Sequence, residues 1–472
     1  MTIVEQNIAL KDLERRIRQD LHKIAWPNVA WVKPRTAPDG APMDNVLIIG
    51  AGQGGIALAF QLMRERVDRV RLLDKAPLGR EGPWRNTARM ITLRSPKETT
   101  GPDLDIPSLT FQSYYEARNG PDAWGALGKI PKGEWQDYLT WLRGVLGLNV
   151  ESETRVTQIT PHPTHVEVTA QTAAGERTYR ARHVVLATGI DGTGRWWMPE
   201  FLTDLPPGLA AHAADVIDFE RLAGKVVAVL GAGASAFDNA ATALEAGARE
   251  VHIFVRRKDL QRVQPYKQVS YTGFLRHMAD LPDAMRWKML TYLLDLREAF
   301  PAETWKRVTK HDNVTIHTGR GWTGAAPTED GRLRLETSQG DFVADFAIAG
   351  TGLDMDMSAR PELSGIAARI ARWADRYTPP AGMENPRLAR YPYLGGGFEL
   401  EAKSGDADEA AALSRVKVFT FGATMSFGPS GSSINAMKFS APRLVSGITR
   451  AIFSEDAEKH LDDLKAYNTE EF

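Results

Sequence analysis

Val46-Leu47-Ile48-Ile49-Gly50-Ala51-Gly52-Gln53-Gly54-Gly55 reads as a buried strand that runs into a glycine turn and then a helix. The turn completes a G-x-G-x-x-G pattern with Gly50, Gly52 and Gly55. Gly50 permits the tight reversal, Gly52 lets the backbone approach a pyrophosphate, and Gly55 lets helix and strand pack closely. The unpaired N–H groups and dipole at the start of such a helix favour negative charge. The following strand, Val70-Arg71-Leu72-Leu73, ends at Asp74-Lys75. That is near the spacing of about 20 residues at which an acid accepts hydrogen bonds from ribose hydroxyls.

A second strand and turn follow much later, in Val226-Val227-Ala228-Val229-Leu230-Gly231-Ala232-Gly233-Ala234-Ser235-Ala236. Here Ala236 stands at the third glycine position, where it is expected to push helix and strand slightly apart. At the ribose end the second unit has Arg256 and Arg257 in place of an acid. Two guanidinium groups suit a 2′-phosphate, which a carboxylate would repel, so NADPH is expected over NADH. Paired turns of this kind predict a protein that holds two dinucleotides and passes electrons between them.

With 472 residues the chain is long enough for two or three domains with buried cores. Its 58 Lys plus Arg balance 59 Asp plus Glu, so no global field recruits nucleic acid. No apolar run approaches the roughly 20 residues of a spanning helix, and the start lacks a secretory layout. The expectation is a cytoplasmic protein without a membrane partner. There is no cysteine. That excludes thiolate metal sites, cysteine nucleophiles and electron transfer to a redox-active disulfide. No motif calls for a metal. The electron acceptor is then oxygen, a small molecule or a partner protein.

Periodicity divides the chain into an amphipathic helix over 8–25 with a linker to 43, and a first nucleotide domain over 44–200. A second nucleotide domain spans 201–325, with a mostly helical insertion at about 259–310. The remainder, 326–472, is expected to return to the first domain through strands near 333–337 and 342–349. It ends in a strand at 416–421 and a helix at 434–453. The fold class is α/β: two Rossmann-like dinucleotide-binding domains, the second inserted into the first. The stretch 80–130 has little period and reads as a long cover over something functional, and 358–415 reads as loop-dominated. The N-terminal helix either packs on its own domain or serves a subunit contact, so a homo-oligomer stays open.

The order of GxGxxG, Gly82-Pro83-Trp84, Ala187-Thr188-Gly189, GxGxxA and Gly350-Thr351-Gly352 resembles the class B flavin-dependent monooxygenases. That group includes flavin-containing, N-hydroxylating and Baeyer–Villiger monooxygenases. The resemblance covers about residues 44–453. It implies FAD in the first site, NADPH in the second, O2 as co-substrate, and a C4a-(hydro)peroxyflavin as oxidant toward a small molecule. By position, Gly50, Gly52, Gly55, Asp74, Lys75, Thr188 and Gly189 would hold FAD, with Trp84 near the flavin. Gly231, Gly233, Ser235, Ala236, Arg256 and Arg257 would hold NADPH.

The fingerprint F-x-G-x-x-x-H-x-x-x-(Y/F/W) is incomplete: Gly208 and His212 remain, but Pro206 and Val216 replace the aromatics, and the closing Trp-Pro is missing. That places heteroatom oxygenation, foremost N-hydroxylation of an amine or amino acid, ahead of Baeyer–Villiger oxidation. S-oxygenation, or a reductase serving a protein partner, are the alternatives. His212 reads as a hydrogen-bonding linker residue, and no catalytic side chain is assigned. In the covering stretch, Arg85, Arg89, Arg94 and Lys97 either bind FAD phosphates or a substrate carboxylate, with Arg94 the cofactor candidate, or make up a salt-bridged loop. Ser433 and Ile434 open the last helix, whose positive end would face the flavin in related flavoproteins; Ser432 or Ser433 serves equally as its N-cap. The aromatics of the insertion, Tyr266, Tyr271, Phe274, His277, Trp287, Tyr292 and Trp305, read as core, the alternative being that some line a substrate cavity.

Overall fold

The computed structural model describes residues 3–296, 298–431 and 433–472. The apolar run before each glycine turn is a strand buried on both faces, as parallel sheets require. Asp44–Ile49 lies between Val70–Leu73 and Gly175–Leu186, parallel to both, with Val150–Glu151 beyond Val70–Leu73. Val416–Val418 also runs parallel to Gly175–Leu186, so the end of the chain rejoins this sheet. Leu73, Ile49, Leu186 and Val418 stand in register at its carboxyl edge. The first half of Gly175–Leu186 pairs antiparallel with Val166–Thr172, which pairs with Arg155–Pro161.

The second sheet repeats this plan. Val226–Leu230 lies between Glu250–Val255 and Phe346–Ala349, flanked by Val314–Thr318 and Ala210–His212, all parallel. An antiparallel meander, Trp322–Pro327, Leu333–Thr337 and Phe342–Ala344, precedes its closing strand. All five parallel strands thus fall between residues 210 and 349. The boundary expected at 325/326 is therefore too early. Residues 346–349 bond to Val226–Leu230 and close the second sheet, as 175–186 closes the first, and the return follows residue 352. The crossings run side by side, Arg195–Trp196 antiparallel to Leu353–Asp354.

The N-terminal helix, Ile3–Lys23, buries Leu13 and Ile17 and packs on the helix Phe111–Asn119 of the same unit. That second helix lies in the stretch expected to be irregular, and Thr110 caps it by accepting from the Ser113 N–H. Residues 358–415 contain short helical turns and the helix Ala407–Leu413, capped by Asp406. A helix at Ala457–Ala466, unforeseen in the sequence, follows the long one at Met437–Glu455. The insertion is divided. Phe274, Trp287, Leu290 and Leu293 pack with Met355, Trp373, Leu388 and Met425, whereas its last helix, Ala302–Thr309, lies on the second nucleotide helix, Ala234–Glu245. Among the described residues no helix is long and apolar enough to cross a membrane.

Both ends of the chain are pinned to the long strand by charge. Arg182, 1% exposed, donates to Asp456 at 2.7 Å and to Glu455 at 2.6 Å. Arg35 in the linker donates to the other Asp456 oxygen at 2.7 Å, and Arg415 pairs with Glu455 at 2.8 Å. Burial pushes the Asp456 carboxyl up, but Arg182 and Arg35 outweigh it and hold the group below its ordinary value. Asp456→Ala leaves Arg182 with Glu455 as its one carboxylate and takes the near carboxylate from Arg35, so we expect a loss of about 1.5–3 kcal/mol, read as a lower thermal unfolding midpoint. Because the folded pKa is depressed, this stabilisation is present above the unfolded value of about 3.9 and is lost as pH falls through the folded one. The midpoint of the wild type should therefore drop more steeply below about pH 4 than that of the variant.

Candidate functional site

Both glycine turns open at the carboxyl edges of their sheets. Gly50 has φ +105°, and a Cβ there would stand 2.4 Å from the Ala187 carbonyl oxygen. A Cβ on Gly55 would lie 1.9 Å from the Gly50 oxygen. Gly52 is the N-cap of the helix Gln53–Arg64, extended, with no side chain capping it and open space where its Cβ would be. That leaves uncapped N–H groups beside room for a pyrophosphate. Asp74 braces the turn: its carboxylate accepts from Ala51 N–H at 2.7 Å and Ala76 N–H at 2.8 Å. Each oxygen retains an acceptor site for a ribose hydroxyl. Lys75 is exposed.

The second turn matches it atom for atom at the first glycine. Gly231 has φ +136°, and its Cβ would lie 2.4 Å from the Gly350 oxygen. Gly233 caps the helix Ala234–Glu245 without a side chain and with open space beside it, and Ser235 is exposed on the first turn. Ala236 does not force helix and strand apart, because the residue facing it is Gly350, whose Cβ would come within 2.5 Å of Ala236 Cβ. Arg256 is exposed and has no polar partner among the described residues. Arg257 instead donates to the Asp295 carbonyl at 2.8 Å, at the C-terminus of the helix Asp283–Leu296. The two arginines thus divide: one is free for a ligand, and one finishes a helix.

Around the first turn two hydroxyls lack partners among the described residues. Thr188 Oγ1, after the strand end that touches Gly50, is buried and unpaired, and a Cβ on Gly192 would lie 2.0 Å from it. Gly189 follows with φ +88°. Ser430 Oγ is also buried and unpaired, in a residue 3% exposed. Its neighbour Gly431 puts a carbonyl oxygen 3.6 Å from the Cβ position of Gly54, beside the first helix. An open cradle, two orphan hydroxyls and a spare-sided carboxylate fit a dinucleotide there. Sequence reasoning missed Ser430, whose loop reads merely as glycine- and serine-rich.

The expected opening of the last helix is altered. Ser433 and Ile434 enter a 3-10 turn, Ile434–Ala436, and the α-helix begins only at Met437. Ser433 donates to the Asn435 side chain and caps nothing; Ser432 lies outside the described residues. Ile434 is held by Gly101, whose Cβ would lie 2.7 Å from its side chain. Trp84 is buried in the core of the first unit. The cations of the cover are all occupied. Arg85 pairs with Asp137 at 2.5 Å, Lys97 donates to the Trp124 and Leu127 carbonyls, and Arg89 donates to the Asp215 carbonyl. Arg94 donates to Asp238 of the second unit at 3.3 Å. His212 stacks on Trp196 at 5.3 Å, accepts from Ala214 N–H, and is pushed below its ordinary pKa by burial. A neutral ring held in this way is a linker residue.

The sequence profile of the pyridine nucleotide-disulphide oxidoreductases matches residues 47–276. A FAD-dependent urate hydroxylase of Xanthomonas campestris pv. campestris is 39% identical over 472 residues, covering 98% of each chain. The chain belongs to the FAD-dependent monooxygenases. Among solved structures this monooxygenase has the fold of the ornithine N-hydroxylase of Kutzneria sp. 744, at a TM-score of 0.66 and 18% identity over 87% of this chain and 100% of that one. The L-lysine 6-monooxygenase of Pseudomonas syringae gives a TM-score of 0.66 and 20% identity over 86% and 99%.

The contact between Ala236 and Gly350 generates a test. Gly350→Ala adds a methyl at 2.5 Å from another. This overpacking should cost about 1–3 kcal/mol and weaken nucleotide binding by the second unit about tenfold, with FAD content unchanged. Adding Ala236→Gly should restore binding, measured by titrating the holoenzyme with NADP+.

Proposed function

We propose that this FAD-dependent monooxygenase takes electrons from NADPH and hydroxylates a small, planar, nitrogen-rich molecule of urate's chemical class. The observation that carries the substrate class is the full-length similarity to a urate hydroxylase at 39% identity. NADPH is supported by the second open cradle and by Arg256, a cation without a polar partner near the end of its strand. In the overall balance NADPH supplies two electrons and O2 both oxygens. One oxygen enters the substrate and the other leaves as water, with a proton taken from solvent.

Bound FAD supplies the chemistry that activates O2. The chain's own work is to hold and exclude. The N–H groups after Gly52 and Gly233 receive phosphates, Asp74 receives ribose hydroxyls, and Thr188 and Ser430 each offer a hydroxyl to the first nucleotide. Trp84 and the stretch around it cover the first unit and keep water out, which prevents wasteful loss of the oxidant as hydrogen peroxide. No side chain is needed as a general base on this reading, consistent with the neutral, packed His212.

Two measurements test it. Purified holoenzyme with NADPH and O2 is offered urate, L-ornithine, L-lysine, simple amines, sulfides and ketones, and is scored by oxygenated product. Hydroxylated urate, with one NADPH consumed per product, supports the reading. A hydroxylamine product instead would establish the amine N-hydroxylation expected from the sequence and overturn the urate-class substrate. For the cofactor, Arg256→Ala should raise KM for NADPH about 10- to 100-fold, the worth of a charge-assisted phosphate contact, and leave KM for NADH nearly unchanged. An equal effect on both would remove the 2′-phosphate contact.

A further inference from the structure

Three basic side chains of the cover reach across to the second unit. Arg94 donates to Asp238 at 3.3 Å and lies 3.7 Å from Glu298. Arg89 donates to the Asp215 carbonyl at 3.1 Å, with its guanidinium 5.1 Å from the centre of the Phe219 ring. Lys129 pairs with Glu303 at 3.0 Å. In the opposite direction, Arg307 donates to the Arg89 carbonyl at 3.2 Å. Asp238 is the hub. It is 2% exposed, one oxygen accepts from Thr304 at 2.8 Å and Arg307 at 3.2 Å, and the other accepts from Arg94.

The hub sits next to both cradles. Asp238 lies one turn along the helix that begins at Ala234, behind the Gly233 cradle. Arg94 leads, within a few residues, to Gly101, which clamps Ile434 at the entrance to the last helix. The two sheets are joined covalently through the short antiparallel pair Arg195–Trp196 and Leu353–Asp354, and the insertion helices of the second unit pack on Trp373 and Met425 of the first. That packing holds the insertion, whereas the helix Ala234–Glu245 behind the second cradle is tied to the cover by the polar Arg94–Asp238 contact, and polar contacts between domains leave relative motion the default. Hydride transfer tolerates little of it, since reacting atoms must approach to about 3–3.5 Å and a 1 Å displacement costs about 100-fold.

We propose that the Arg94–Asp238 ion pair is a positioning device that fixes the angle at which the second unit presents its nucleotide to the first. The inference rests on FAD in the first site and NADPH in the second. Arg94 is the informative residue to remove. Without it Asp238 keeps Thr304 and Arg307, so the packing of Ala302–Thr309 on Ala234–Glu245 survives, and the contacts of Arg89, Lys129 and Arg307 across the units remain while the one arm to Asp238 is gone. Thr304→Val is the control, because it takes a hydrogen bond from the same carboxylate wholly within the second unit.

Arg94→Ala, Arg94→Lys and Thr304→Val holoenzymes are mixed anaerobically with NADPH, and flavin bleaching is followed by stopped flow. Arg94→Ala should bleach at least about tenfold more slowly at saturating NADPH, while dithionite bleaches it at the wild-type rate and its FAD content is unchanged. Arg94→Lys should recover part of the loss. Amide hydrogen exchange over residues 85–97 should rise in Arg94→Ala with no NADPH present. Bleaching of Arg94→Ala within about twofold of wild type, or an equal slowing by Thr304→Val, overturns the proposal. Wild-type flavin that NADPH never bleaches defeats the two-nucleotide reading itself.

Discussion

Two carbonyl oxygens, those of Ala187 and Gly350, each lie 2.4 Å from the point where a Cβ would sit on the first glycine of a turn. The rest of the molecule is arranged around these two approaches. Each brings the closing strand of a sheet against the turn that follows its central strand, so the carboxyl edge forms a shallow step beside an uncapped helix. Only backbone fits at the step, because a side chain would separate strand from helix and close the space left for phosphates. The meander before each closing strand and the parallel strand beyond each turn serve the same end, holding two backbone segments closer than side chains permit.

Much of this was legible because it depends on glycine and on long apolar runs. Gly50 and Gly231 have positive φ, Gly52 and Gly233 have open space beside them, and Asp74 braces the first turn through Ala51 N–H, a bond its expected role toward ribose did not include. What stayed hidden depends on pairing between distant segments. The strand Phe346–Ala349 reads equally well as the start of a return to the first sheet, and only its bonds to Val226–Leu230 assign it to the second. Arg94 and Arg257 have the right charge for phosphates but find carboxylate and carbonyl partners on other helices. Charge is visible in a sequence, whereas the availability of a charge is a tertiary property. The helix Phe111–Asn119 escaped because its apolar stripe is short: Phe111, Tyr114 and Tyr115 share one face, but the stripe ends within two turns and lies in a stretch rich in glycine and proline.

The charged residues divide by depth. At the base of the first sheet Arg182, Arg35, Arg415, Glu455 and Asp456 are spent on anchoring the two ends of the chain. Buried charges that are fully paired and hydrogen-bonded contribute register more than stability. At the carboxyl edges the pattern inverts: backbone N–H groups, hydroxyls and one exposed arginine are left without partners. A rigid base and an unsatisfied rim are what a scaffold for tightly held nucleotides needs, since the ligands then complete the hydrogen bonding instead of competing for it.

The two units also show that one steric rule has two solutions. In the first, the third position of the turn is Gly55 and the matching strand end is Ala187; in the second, the turn has Ala236 and the strand end has Gly350. Ala187 and Gly350 are equivalent, since each donates its N–H to the last residue of the central strand, Ile49 or Leu230, at 2.8 and 2.7 Å. In the first unit a methyl on Gly55 is excluded by the Gly50 carbonyl, 1.9 Å from its Cβ position, whereas in the second the methyl of Ala236 fits because the strand end facing it is Gly350. A methyl on both sides would clash at 2.5 Å in the second unit, so the alanine in its motif depends on a glycine more than a hundred residues away. The departure from the three-glycine pattern is thus no loosening of the turn. The glycine at the strand end makes the room that the alanine on the helix takes up.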